Sequence, residues 1–158
     1  KMVAHYIQQE GVLLAFNPGS TQLSEGVGSF GFLLPFMTVL FVNKEEAEII
    51  AGEKGTINHL LTTLQAKGPK IVSITNGGLG AYAIDQRGTI YQKDVITCPV
   101  IERTGAGDAY ASGFLAAYLH GHDMDQSMSW GLHNSASVIG HSGAQAGLLT
   151  RKELEERL

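Results

Sequence analysis

The run Thr104-Gly105-Ala106-Gly107-Asp108 places small residues ahead of a carboxylate and opens directly into the apolar segment Ala109 to Leu119. At a helix start the first backbone N–H groups lack partners, and the macrodipole adds roughly half a positive charge there. Glycine permits a close approach to a ligand and positive φ where the turn needs it. A phosphoryl group is the natural guest, with Asp108 placed to act on whatever attacks it. A hydroxyl holds its proton too tightly for a free carboxylate to remove it beforehand. In phosphoryl transfer the proton leaves late, so the base chiefly orients the nucleophile. Donors aimed at the transferring group do most of the work, and losing one commonly costs about 10²–10³ in rate. The competing reading makes Asp108 a helix cap and the glycines a tight turn.

Three further groups of residues invite the same chemistry. Asn43-Lys44-Glu45-Glu46 follows an apolar strand, and open α/β sheets bind ligands beyond the carboxyl ends of their strands. Asn43 would contact a phosphate and Glu46 would hold Mg²⁺ through water, since Mg²⁺ keeps several waters and few carboxylates. Equally, Asn43 and Glu46 have the spacing of a capping box. Thr75-Asn76-Gly77-Gly78-Leu79-Gly80 follows another apolar strand and suits a turn whose Thr75 and glycine amides touch nucleotide phosphates. A plain turn into a hairpin is the alternative. Gly78, Gly80 and Ala83 mimic a dinucleotide fingerprint, but that motif requires a helix next, and a hairpin pattern follows instead. Asn134 and the loop from Ser142 to Gly147 are candidates to border a base-binding pocket.

These residues need a scaffold, and the apolar patterning supplies one. The pattern predicts the end of a helix over Met2 to Gln9 and buried strands over Val12 to Phe16, Thr38 to Val42 and Lys70 to Thr75. Glycines at 26, 28 and 31 weaken any helix between the first two strands. Helices are predicted over Lys44 to Ala51, closed by Gly52, and over Thr56 to Ala66, closed by Gly68. Ala81 to Asp85 and Thr89 to Lys93 flank Gln86-Arg87-Gly88 as a β-hairpin, and Val95 to Val100 runs extended. Ala106 to His120 is apolar on nearly every face and should be buried, with Gly121 as its stop. Further helices are predicted within Met124 to Gly140 and over Arg151 to Leu158. Strands alternating with helices give an α/β fold, a doubly wound, mainly parallel sheet with helices on both faces, in one domain.

Composition narrows the function. The 158 residues suffice for one domain, and 44% hydrophobic with 16% charged content suits a globular protein. With net charge −4 and no run of Lys or Arg, a nucleic-acid footprint is missing. No stretch is long and apolar enough to span a bilayer; Phe30 to Val42 is broken by Gly31 and Pro35. The single Cys98 excludes an internal disulfide and suits a reducing, cytoplasmic compartment. The six histidines show no metal-binding spacing. Lys1-Met2 falls inside the first helical pattern, as in a piece whose upstream half is missing.

Taken in order, Phe16-Asn17-Pro18-Gly19, Asn43-x-x-Glu46, Thr75-x-Gly77-x-x-Gly80, the Thr104 to Asp108 run and Gly143-Ala144-Gln145 resemble the C-terminal half of the ribokinase-like (pfkB-type) carbohydrate kinases. The resemblance covers essentially the whole chain, as the nucleotide-binding portion of such a domain. It implies transfer of the ATP γ-phosphate to a hydroxymethyl group of a sugar, with a nucleoside or a hydroxymethylpyrimidine as the nearest alternatives. By the same resemblance Asp108 is the base, and the Gly105, Ala106 and Gly107 amides form the anion hole. Asn43 and Glu46 then serve phosphate and Mg²⁺, Thr75, Gly77 and Gly80 the ATP phosphates, and Asn134 and Gly143 the nucleotide surroundings. Many members also bind a monovalent cation, K⁺ in type, which would use Glu102, Thr104 and the Gly143 loop. The chain departs from the family there: Glu102-Arg103-Thr104 stands for Asp-Thr-Thr, and Gly147 replaces a side-chain oxygen of some relatives. The family's N-terminal half, which supplies the sugar contacts, the lid and usually a homodimer contact, is not in this sequence. A non-catalytic nucleotide-binding module is the rival from another class.

Overall fold

The computed structural model describes residues 6–7 and 9–157. The predicted helix over Met2 to Gln9 therefore lies largely outside the described residues. The strands are β1 (Ala15–Phe16), β2 (Val39–Asn43), β3 (Ile71–Thr75), β4 (Ala81–Ile84) and β5 (Ile90–Lys93). The helices are α1 (Ser20–Ser24), α2 (Lys44–Ala51), α3 (Ile57–Gln65), α4 (Ala106–Leu119), α5 (Met124–Ile139) and α6 (Arg151–Glu155). The sheet runs in the order β1-β2-β3-β4-β5, with β1, β2 and β3 parallel. The turns after β3 and β4 are closed by Asn76 N–H to Gly80 O at 2.9 Å and Asp85 N–H to Thr89 O at 3.0 Å. Connections this short join only antiparallel neighbours. The α/β class with its parallel core is as the sequence predicts.

The chain divides into two compact units. One holds the described residues up to Thr75 together with Tyr82–Ile90; the other holds Asn76–Ala81 and the described residues from Tyr91 onward.

In the first unit, β2 and β3 are buried on both faces, as their largely apolar sequences require. Leu40, Val42, Val72 and Ile74 meet Leu60, Leu61 and Leu64 of α3 and Ala47 and Ile50 of α2 in the core. The strand predicted over Val12 to Phe16 shortens to β1, and Val12 and Leu13 are 44% and 51% exposed. Pairing begins only at Leu14, whose N–H donates to the Thr38 hydroxyl and whose carbonyl accepts from Thr38 N–H. Residues before it have no strand to join. Between β1 and β2 the glycines leave α1 and two 3₁₀ turns, Val27–Ser29 and Gly31–Phe36.

In the second unit, α4 and α5 pack tightly because glycines remove side chains where the helices touch. A Cβ on Gly113 would lie 2.8 Å from Trp130 O, and one on Gly131 would lie 2.8 Å from the Tyr110 ring. Interior helical glycine costs about 1 kcal/mol relative to alanine, which the close packing offsets. Burial of α4 is narrower than its composition suggests. Ala109, Tyr110, Gly113, Phe114 and Ala117 form the buried stripe, whereas Leu119 is 60% exposed. That stripe faces α5, and α5 covers one side only. Ala117, Trp130 and Leu154 join α4, α5 and α6 in a separate small core. Among the described residues, no helix is long and apolar enough to cross a membrane.

Candidate functional site

The turn ahead of α4 is built around Gly105, which precedes the helix at φ 82° and ψ −2°. A Cβ there would sit 2.3 Å from Ala144 O and 2.9 Å from Ala144 Cα. Left-handed backbone and lack of space both demand glycine. Gly105 also provides no capping side chain, so the N-cap position leaves the start of α4 uncapped. Ala106 N–H bonds back to Arg103 O at 3.2 Å and Ala109 N–H to Gly105 O at 2.8 Å. Among the described residues, the N–H groups of Gly105, Gly107 and Asp108 find no backbone acceptor.

Asp108 lies inside the first turn of α4, exposed, with no hydrogen bond or ion pair among the described residues. A capping aspartate precedes its helix and accepts from the N–H groups two or three residues on. Asp123 does so for α5, accepting from Gln126 N–H at 2.8 Å; Asp108 does not. The turn thus presents an uncommitted carboxylate beside unpartnered donors. A Cβ on Gly107 would meet open space, so this side of the turn is accessible.

Glu102 is committed. Its Oε2 accepts from Gly143 N–H at 2.8 Å and from the Ser142 hydroxyl at 3.4 Å, and Thr104 adds a side-chain hydrogen bond. The Gly143 bond first, then Thr104, hold its carboxyl below the usual carboxylate range against a smaller opposing effect of desolvation. The contribution of this contact is present above the ordinary carboxyl pKa and is lost as pH falls through the lowered one. Glu102 and Thr104, expected to hold a monovalent cation, lie together, with the Gly143 loop on the Glu102 carboxylate.

Asn134 is bonded within the fold. It is 4% exposed, and its Nδ2 donates to Ala109 O at 2.8 Å and the Ser112 hydroxyl at 3.3 Å. Its Oδ1 accepts from Leu149 N–H at 2.9 Å. Both donors are used, so Asn134 ties α5 to α4 and to the segment before α6. Gly80 likewise serves the chain itself: at φ 85° it packs so closely that a Cβ would fall 2.0 Å from Lys93 O. Gly77, at φ 52°, has open space around it.

In the first unit, Asn43 and Thr75 end adjacent parallel strands in register with each other. Asn43 also starts α2 with a complete capping box. Glu46 N–H donates to Asn43 Oδ1, and Asn43 N–H donates to Glu46 Oε2, both at 2.9 Å. The capping reading is therefore correct, and among the described residues it still leaves the Asn43 amide donors and the second Glu46 oxygen without a partner. A single half-buried carboxylate with one oxygen spare fits Mg²⁺ held through water. Among the described residues, no three His, Cys, Asp or Glu side chains cluster as a metal site.

Sequence reasoning placed Ser142 and Ala144 in a candidate loop but missed their contacts, which seat the Gly143 loop against Glu102 and Gly105. Ser142 gave no signal of its own. The glycine-rich loop containing Ala144 did stand out, but its contact across about forty residues did not.

The sequence model of the pfkB family carbohydrate kinases matches residues 28–151. The chain belongs to that family. Within the pfkB kinases it is 29% identical over 144 residues to the 5-dehydro-2-deoxygluconokinase of Shouchella clausii, covering 90% of this chain and 44% of that protein. It is 30% identical over 154 residues to the nucleoside kinase of Methanocaldococcus jannaschii, covering 92% of this chain and 47% of that protein. In fold it superimposes on the ribokinase of Arabidopsis thaliana, solved with ribose and ATP, with a TM-score of 0.82 at 21% identity. That match covers 98% of this chain and 50% of the other. The chain therefore spans about half the length of these pfkB relatives.

Proposed function

We propose that this chain is the ATP-handling part of a kinase that moves the γ-phosphate of ATP to a hydroxymethyl group of a sugar. One observation carries the reading: an exposed, unpartnered Asp108 stands beside the unpartnered N–H groups of Gly105, Gly107 and Asp108. Family membership and the sugar and nucleoside kinases among the relatives support it.

In the proposed reaction the acceptor hydroxyl donates a hydrogen bond to the Asp108 carboxylate, which points an oxygen lone pair at the γ-phosphorus. The new P–O bond forms as the bond to the β,γ-bridging oxygen breaks; the hydroxyl proton passes to Asp108 and ADP departs. Negative charge on the transferring group would be met by the N–H groups of Gly105, Gly107 and Asp108. Asn43 would contact phosphate through its spare amide donors. Glu46 would hold Mg²⁺ through water, where the ion neutralises phosphate charge. Thr75 and Gly77 would lie along the ATP phosphates, and the Gly143 loop beside the nucleotide. Asn134 and Gly80 would support these groups by holding the scaffold.

A nucleoside acceptor is the second reading, favoured by the 30% identity to the M. jannaschii nucleoside kinase. Assay of the full-length protein against panels of sugars and nucleosides, with ATP and Mg²⁺, separates the two. Sugar phosphorylation with kcat/KM at least about tenfold above every nucleoside, a difference of about 1.4 kcal/mol, is expected. The reverse order overturns the sugar reading, and no transfer to either panel overturns the kinase assignment.

A further inference from the structure

The Gly143 loop and the turn ahead of α4 approach each other so closely at Ala144 and Gly105 that a single added carbon has no room between them. Two backbones brought this near need something to hold them. In this chain the holding group is visible. Glu102, three residues before Gly105, reaches across to residues 142 and 143 with one carboxylate oxygen, at 3.4 Å and 2.8 Å. Thr104 donates to the same carboxylate from its own side of the gap. Gly143 N–H and the Ser142 hydroxyl both fall on Oε2, so a monovalent cation at that oxygen would compete with them.

The other end of the loop is closed as well. Gly147 is at φ 81°, and a Cβ there would fall 2.3 Å from His141 Nδ1 and 2.8 Å from Ser137 O. His141 Nδ1 is itself 2.8 Å from Ser137 O. No side-chain oxygen can be offered from position 147 without displacing this pair.

We infer that Glu102 is a positioning residue that latches the Gly143 loop to the Gly105 turn directly, so that this protein holds its anion turn without a monovalent cation. The latch serves the kinase reading given above, but its test does not depend on turnover. Amide hydrogen exchange at Gly143 reports the latch, and exchange at Leu149, whose N–H is held by Asn134, reports the fold of the same unit. Both are followed in the wild type and in Glu102→Gln, each in potassium and in tetramethylammonium chloride at equal ionic strength.

In the wild type, Gly143 protection is expected to agree within about twofold between the two salts. Glu102→Gln replaces a charged acceptor with a neutral one, so Gly143 protection should fall roughly tenfold in both salts while Leu149 is unchanged. Severalfold greater protection of wild-type Gly143 in potassium would overturn the inference, because a bound cation would then be holding the loop. Unchanged Gly143 in Glu102→Gln would also overturn it, as would equal loss at Gly143 and Leu149, which would mean general loosening rather than a latch.

Discussion

Asp108→Asn in the full-length enzyme should lower kcat by about 10³, within the 10²–10⁴ that positioned proton transfer supplies, while ATP affinity changes less than about threefold. The expectation follows from where the carboxylate sits. It is exposed, bonded to nothing among the described residues, and inside the first turn rather than at the cap. Its removal therefore breaks no structural contact. The fold loses only the favourable placement of a negative charge near a helix N-terminus, about 0.3–1 kcal/mol. An amide of the same shape retains the hydrogen-bonding reach but cannot take the hydroxyl proton. Steady-state kinetics together with nucleotide titration check the split. A normal kcat with a raised KM for ATP would instead make Asp108 a binding group and remove the proposed base.

Gly105→Ala should be strongly destabilising for a single added methyl group. At φ 82° an L-residue carries a backbone cost of about 1–2 kcal/mol. The new Cβ would also meet Ala144 O at 2.3 Å, where backbone rather than a yielding side chain opposes it. Overpacking of this kind costs about 1–3 kcal/mol. The two effects together predict a loss of about 2–5 kcal/mol, measured as a shift in the urea midpoint at constant m. Relief by moving the Gly143 loop away would also loosen its bond to Glu102, so turnover should fall more than a stability loss alone explains. Gly107 provides the contrast, since a Cβ there meets nothing within 4 Å. Equal tolerance of alanine at 105 and 107 would show that the Gly105–Ala144 approach is not a requirement of the fold.

The elements that the sequence made legible are those with strong local signals. β2 and β3 are largely apolar runs, and α2, α3 and α6 each begin at a residue whose side chain caps the helix: Asn43, Thr56 and Thr150. The Thr104 to Asp108 run was legible because glycine, alanine and aspartate in that order have few other uses ahead of an apolar helix. What the sequence could not display were side chains committed to distant partners. Asn134 looks like a polar residue awaiting a ligand until its bonds to residues 109, 112 and 149 are seen. Glu102 looks like a cation ligand until its contacts with residues 142 and 143 appear. Val12 and Leu13 look like a buried strand because hydropathy does not show that strand pairing starts at residue 14. Gly113 and Gly131 did carry a signal, since glycine inside a helical pattern usually marks a close approach.

The central claim is that the N–H groups of Gly105, Gly107 and Asp108 receive phosphate. Backbone amide chemical shifts of this chain, recorded while ATP and Mg²⁺ are added, test that most directly. Gly105, Gly107 and Asp108 should show the largest saturable shifts, and inorganic sulfate should move the same amides more weakly. Saturable binding that leaves those three amides unmoved would contradict the account.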